Sequence, residues 1–217
     1  MGFSTIGIFV YILETFLVFL LSLFFLKKGK IFLWFPAFFL LAVFVETLCY
    51  YYKLNDINNW PVYNWWFPLE FAFFSIWIRS YILSLQFRKS VLYLIFSYAF
   101  FVAIRNVFYA DLASFNTLNF AFGVLLLLLC IFYKLSEILK AEEIVNPLKL
   151  PVFWPLSGML VSNLMSIFHL LSNNYLYKSN FELLSALRKI NIIMSCFLYV
   201  TFIVYFLIQW KNRKQAI

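Results

Sequence analysis

The sequence predicts an all-α fold: a polytopic membrane helix bundle of seven transmembrane helices, N-terminus outside the cell and C-terminus in the cytoplasm. Three observations predict it. Hydrophobic residues make up 65% of the chain, aromatic residues 24% and charged residues only 12%, whereas a soluble domain is nearer half apolar and a quarter charged. At 217 residues a chain exposes too much surface to hide that quantity of Phe, Leu, Ile and Tyr from water. The apolar residues also run continuously over lengths near the roughly 20 residues that span a hydrocarbon core, unlike the alternating strands of a barrel. Finally, lysine and arginine collect in alternate loops. The length accommodates a single transmembrane domain, residues 1–217, and no soluble module of useful size.

The first span covers about 3–26. No basic stretch precedes it, Glu14 lies inside it and no small-x-small cleavage site comes before Lys27, so it is expected to remain as a helix and not to be removed as a signal peptide. Ile6 stands where an N-myristoylation motif needs Ser or Thr. The second span, 31–52, carries Glu46 and Cys49. The third, 63–85, carries Glu70 and Arg79. The loop before it, Asn58 to Trp66, mixes turn residues with Trp60, Tyr63, Trp65 and Trp66, as in an aromatic belt at the membrane interface.

The fourth span, 91–109, ends with Arg105 and Asn106, and the fifth, 116–138, begins near Asn119. The sixth, 149–171, opens with Pro151 and Pro155, placed where a helix tolerates a missing backbone donor. Ser157 and Gly158 follow and favour close helix contact, and Asn163 and His169 lie further along. The seventh, 186–209, opens with Arg188, Lys189 and Asn191.

Sidedness follows from the loops. Lys27, Lys28 and Lys30 follow the first span, Arg88 and Lys89 the third, Lys134, Lys140 and Lys149 the fifth, and Lys211, Arg213 and Lys214 the seventh. The intervening loops hold little: Lys53 with Asp56, then Asp111, then Lys178. The basic side is therefore cytoplasmic. The net charge of +8, from 17 Lys and Arg against 9 Asp and Glu, reads as helix orientation and headgroup attraction, with no direct nucleic-acid partner expected. The cytoplasmic loop around Glu142, Glu143, Asn146 and Pro147 is a natural contact for another protein.

Ionisable groups inside a span cost several kcal/mol unless paired, hydrated or able to snorkel. Given this topology, most of them fall in the outer half. Glu46, Glu70, Arg105, Asn106, Asn119, Asn163 and His169 are the candidate ligand-binding or ion-pair chamber. One reading is a polar chamber open to the outside, taking a small polar or zwitterionic ligand or a lipid headgroup. The other has Glu46 or Glu70 paired with Arg105 to lock helices together. Glu14 and Arg79 stand apart from this group.

Catalytic signatures are absent. One histidine cannot build a multi-histidine zinc site, so no metal is expected. The chain has no HExxH, no Gly-x-Ser-x-Gly and no phosphate-cradling glycine loop. No catalytic residue and no cofactor is assigned, and the chain is not expected to be an enzyme. Cys49, Cys130 and Cys196 form no CxxC pair, which argues against thiol redox chemistry. A retinal Schiff base would need Lys189, which lies near the interface with Ser185 instead of a carboxylate one turn before it.

The stretch Pro151-Val152-Phe153-Trp154-Pro155-Leu156-Ser157-Gly158, the run ending at Leu171-Ser172-Asn173, Leu69-Glu70-Phe71 and Phe115-Asn116 together resemble an uncharacterised group of seven-helix bacterial inner-membrane proteins. The resemblance implies a bacterial origin, the inner (cytoplasmic) membrane and seven helices, and it supplies no activity. The wealth of Phe, Ile, Lys and Asn agrees with an AT-rich bacterial genome.

Three functions compete. The first is a sensory or signal-relay protein whose outward chamber acts on a separate cytoplasmic partner. The second is a membrane effector or accessory protein of the antiphage or CRISPR-associated type, a homo-oligomer that perturbs the bilayer. The third is a small proton-coupled transporter using Glu46 or Glu70.

Overall fold

The computed structural model describes residues 3–26, 30–108, 114–140 and 146–215, and every regular element among them is helical. Seven long helices follow one another: α1 (Phe3–Leu23), α2 (Lys30–Leu54), α3 (Trp60–Tyr81), α4 (Leu85–Phe108), α5 (Thr117–Leu139), α6 (Phe153–Ser179) and α7 (Phe181–Gln215), with a 3-10 turn at Pro147–Lys149 before α6. Lys27, Lys28, Asp111, Glu142 and Glu143 lie outside the described residues.

Six of the helices are long and apolar enough to cross a membrane, so the chain is a multi-pass helical membrane protein. The exception is α3. Its 22 residues are enough, but Trp, Tyr, Pro and Asn crowd its first turns and lower its hydropathy. Helix ends depart from the expected spans where hydropathy and helix-forming ability part company. α4 begins at Leu85, not 91, because Ser84 caps it: the Phe87 amide donates to Ser84 Oγ at 3.3 Å. α6 runs on to Ser179 and α7 back to Phe181, where Asn180 Oδ1 accepts the Leu183 amide at 3.0 Å. Polar residues end an apolar run without ending a helix. The third span stops short, at Tyr81, where the backbone turns extended at Ile82.

Contacts divide the chain into two compact units, residues 1–44 with 141–217 and residues 45–140. In the first unit α6 and α7 run antiparallel. Gly158 meets Thr201 so closely that a Cβ on the glycine would collide with the threonine side chain, and Ser166 Oγ bonds Asn191 Oδ1 at 2.9 Å. α1 runs parallel to α7, with Gly7 against Ile192, the Tyr11 ring against Tyr199 at 4.9 Å and Phe25 against Phe206 at 5.2 Å. The early turns of α2 lie antiparallel to α7. Phe35 packs on Phe206 at 5.7 Å and Phe39 on Phe202 at 5.5 Å. Lipid offers no hydrophobic drive between helices, so edge-to-face rings and glycine contacts of this kind carry the association.

In the second unit α3, α4 and α5 alternate in direction. The buried residues of α4, Val91, Ile95, Tyr98, Val102 and Asn106, recur at three or four positions and form one stripe. α5 buries a comparable face from Asn119 through Gly123, Leu127 and Ile131 to Lys134. α3 is antiparallel to α4, from Asn64 near Asn106 to Arg79 near Arg88, a stretch of about 22 Å along the helix. It is parallel to α5, with Phe67 on Phe120 at 4.4 Å and Glu137 reaching the turn that follows α3.

Candidate functional site

The second unit has two polar ends, and proline chemistry explains the first. Pro68 sits inside α3 and has no N–H to donate to the Asn64 carbonyl four residues back. Asn106 fills that place: its Nδ2 donates to the Asn64 carbonyl at 3.3 Å. The Asn64 side chain in turn accepts the Asn116 amide at 2.9 Å and donates to the Ser114 carbonyl at 2.9 Å. Asn116 caps α5 by accepting the Asn119 amide at 3.3 Å. Asn106 Oδ1 accepts from Asn119 Nδ2 at 3.0 Å and from Asn116 Nδ2 at 3.5 Å. Tyr98 OH closes the group on the Asn119 carbonyl at 3.0 Å. All four asparagines are buried. Asn119 Oδ1 is buried with no hydrogen-bond partner.

Beside this knot, in the same unit, lie two carboxyls. Tyr63 OH donates to Glu46 Oε2 at 3.0 Å, and Glu70 lies within electrostatic reach of Glu46 and of Tyr98. Cys49 is near Glu46 and Tyr63. Trp60, Tyr63, Phe67, Phe115 and Phe120 pack ring on ring at the same end, Tyr63 stacked on Phe67 at 5.7 Å and Trp60 on Phe115 at 5.1 Å. Arg105 does not pair with either carboxyl. Its guanidinium lies 5.9 Å from the Phe101 ring centroid, a cation–π contact. Lys134 and Glu137 form an ion pair at the other end of the unit.

That other end is a latch. Glu137 accepts the Leu83 amide at 3.2 Å and the Ser84 amide at 3.4 Å, donors that α4 cannot satisfy internally, while Lys134 Nζ reaches Glu137 Oε2 at 3.0 Å. Arg79 Nε donates to the Arg88 carbonyl at 2.9 Å, and Phe87 stacks on Tyr133 at 3.6 Å. These bonds fasten the α3–α4 turn to α5.

Of the seven expected chamber residues, Glu46, Glu70, Arg105, Asn106 and Asn119 therefore share the second unit. Asn163 and His169 belong to the first. Asn163 Nδ2 donates to the Met159 carbonyl of its own helix at 2.7 Å. His169 Nε2 is buried with no hydrogen-bond partner. Asn64, Tyr63, Tyr98 and Asn116 join the site without having been among the candidates. Asn116 carried a signal, an asparagine just ahead of an apolar run. Asn64 carried one too, four residues before an in-helix proline. Comparison with known proteins finds no matching family model, no matching curated protein and no matching solved structure. Fold and site define a class, the polytopic helical membrane protein, and the helices that define it come from the chain's own chemistry.

Proposed function

We propose that this chain is a seven-span protein of the bacterial inner membrane, N-terminus outside, and that it works as a sensor or signal relay. Its site is the Glu46–Tyr63–Glu70 group in the outer half of the second unit, and its output goes to a separate cytoplasmic protein. What supports seven crossings is direction. α1 and α7 run parallel, which alternating spans require of the first and seventh, whereas omitting α3 would make them antiparallel. α3 also lies along α4, itself apolar enough to cross, over about 22 Å of the roughly 30 Å core. The basic loops support the sidedness.

The observation that carries the sensory reading is the pair of carboxyls near each other with no basic side chain paired to either among the described residues. Two such groups in lipid call for a neutralising partner. A small zwitterionic or aminated ligand supplies one, its cationic nitrogen between the carboxyls and its body against the Trp60–Tyr63–Phe67 rings. The basic end of α7, with Lys211, Arg213 and Lys214, supports the relay as a contact for a cytoplasmic partner. The test is E46Q and E70Q, singly and together. Each is expected to abolish retention of the native ligand and any signal while leaving membrane insertion and thermal unfolding unchanged. Full retention in the double variant overturns the reading.

The same carboxyl pair favours a second reading, proton-coupled transport. Proteoliposomes carrying the pure protein would then accumulate solute in response to a pH gradient.

A further inference from the structure

We infer that the α3–α4 turn of the second unit carries a phosphate-recognising site centred on the guanidinium of Arg79. The inference goes beyond the sensory reading and uses none of its residues. It starts from the one arginine in the last turn of α3. Arg79 is half-buried, and its Nε donates to the Arg88 carbonyl at 2.9 Å. A guanidinium has five N–H donors, so four remain on the two Nη atoms. Among the described residues no carboxylate pairs with them. The acid near this turn, Glu137, pairs instead with Lys134 at 3.0 Å and takes the Leu83 and Ser84 amides.

The contact with Arg88 gathers charge. It holds the start of α4 against the Arg79 guanidinium, and that stretch brings Arg88 and Lys89 with it. Arg79, Arg88, Lys89 and Lys134 set against Glu137 sum to three positive charges. The start of a helix adds its own preference for an anion, and the Glu137 carboxylate on the Leu83 and Ser84 amides is one instance of it. Depth follows from α4. It is apolar enough to cross and has 24 residues, more than the roughly 20 that fill the hydrocarbon core. Arg88 is its fourth residue, so Arg88, and Arg79 in contact with it, lie at the edge of the core.

Charge and shape identify the ligand. A half-buried cation at the edge of lipid calls for an anion. The two Nη atoms form a planar edge that matches two phosphate oxygens at once, and basic clefts between membrane helices hold anionic headgroups. Phosphatidylglycerol presents its phosphate at this depth without a cation of its own, whereas the ammonium of phosphatidylcholine meets the positive charges around Arg79. The shared chemistry is a phosphate group, on an anionic phospholipid or free in solution.

Native mass spectrometry of the full-length protein in detergent tests it, titrated with phosphatidylglycerol and separately with phosphatidylcholine. Wild type is expected to retain a phosphatidylglycerol that phosphatidylcholine does not replace. R79Q should raise the half-saturating phosphatidylglycerol concentration about tenfold, the usual worth of a hydrogen bond to a charged group. R79K keeps the charge and loses the fork, so it should fall between wild type and R79Q. K89Q removes the same charge from an exposed neighbour and should weaken retention far less than R79Q. Thermal unfolding of each variant checks the fold, and R79K reports by itself should R79Q fail to assemble. Displacement by millimolar inorganic phosphate assigns the site to soluble phosphate, and resistance assigns it to the lipid. Retention equal to wild type in whichever of R79Q and R79K assembles overturns the inference, and so does an equal loss in R79Q and K89Q, the mark of unspecific headgroup attraction.

Discussion

At the scale of single residues, the carbonyl that Pro68 leaves free organises one end of the second unit. Asn106 occupies it, so N106L strands a buried acceptor and should cost about 1–3 kcal/mol. Adding P68A returns an N–H to residue 68, which can reclaim the Asn64 carbonyl within α3. The double variant P68A/N106L should therefore be more stable than N106L alone, as measured by thermal unfolding in detergent. A purely additive result would mean that Asn106 and Pro68 are not coupled through that carbonyl. Gly158 makes a second residue-scale prediction. A Cβ there collides with Thr201, so G158A should destabilise by about 1–3 kcal/mol through overpacking, and G158A/T201A should recover most of it. The asparagine knot was half legible in the sequence. Asn106 and Asn119 stood out as polar residues in apolar runs, but Asn64 was hidden in a loop-like stretch rich in tryptophan. Which carbonyl a proline vacates is local information, whereas which side chain fills it depends on what packs alongside.

At the scale of elements, α3 is the helix in dispute. Its composition keeps it below the apolarity of the other six, and the proposed seven crossings require it to span. With the native cysteines replaced, N58C and S84C flank it. If α3 spans, an impermeant thiol reagent should label these two from opposite faces of the membrane, and labelling of both from one face would make α3 a re-entrant or interfacial element. The α3–α4 turn depends on Glu137, which accepts the Leu83 and Ser84 amides and pairs with buried Lys134. E137A should speed hydrogen exchange at those two amides about tenfold or more and lower stability, since Lys134 is left as an uncompensated buried cation. E137Q should retain much of the amide protection, because its carbonyl still accepts. Hydropathy located all seven helices but misjudged their ends, since Ser84 and Asn180 set helix starts by capping and not by greasiness.

At the scale of the whole molecule, the sidedness predicted from Lys and Arg can be read directly. On intact cells, N180C should react with an impermeant thiol reagent and K214C should not, and the reverse pattern would invert the topology and with it the outward placing of Glu46 and Glu70. Composition alone dictated the solvent: with this much apolar surface and so few charges, only lipid satisfies the chain, and in lipid only helices satisfy its backbone. Run length then set how many rods there are, because each must match a fixed hydrocarbon thickness. Packing decided the rest. It assigned Asn163 and His169 to a different unit from the other polar candidates, set Arg105 over a phenylalanine ring instead of against a carboxylate, and paired Lys134 with Glu137. The physical reason is range. Burial in lipid is a property of each segment by itself, but whether a polar atom finds a partner depends on the rotation and register of a neighbouring helix, which no single segment encodes.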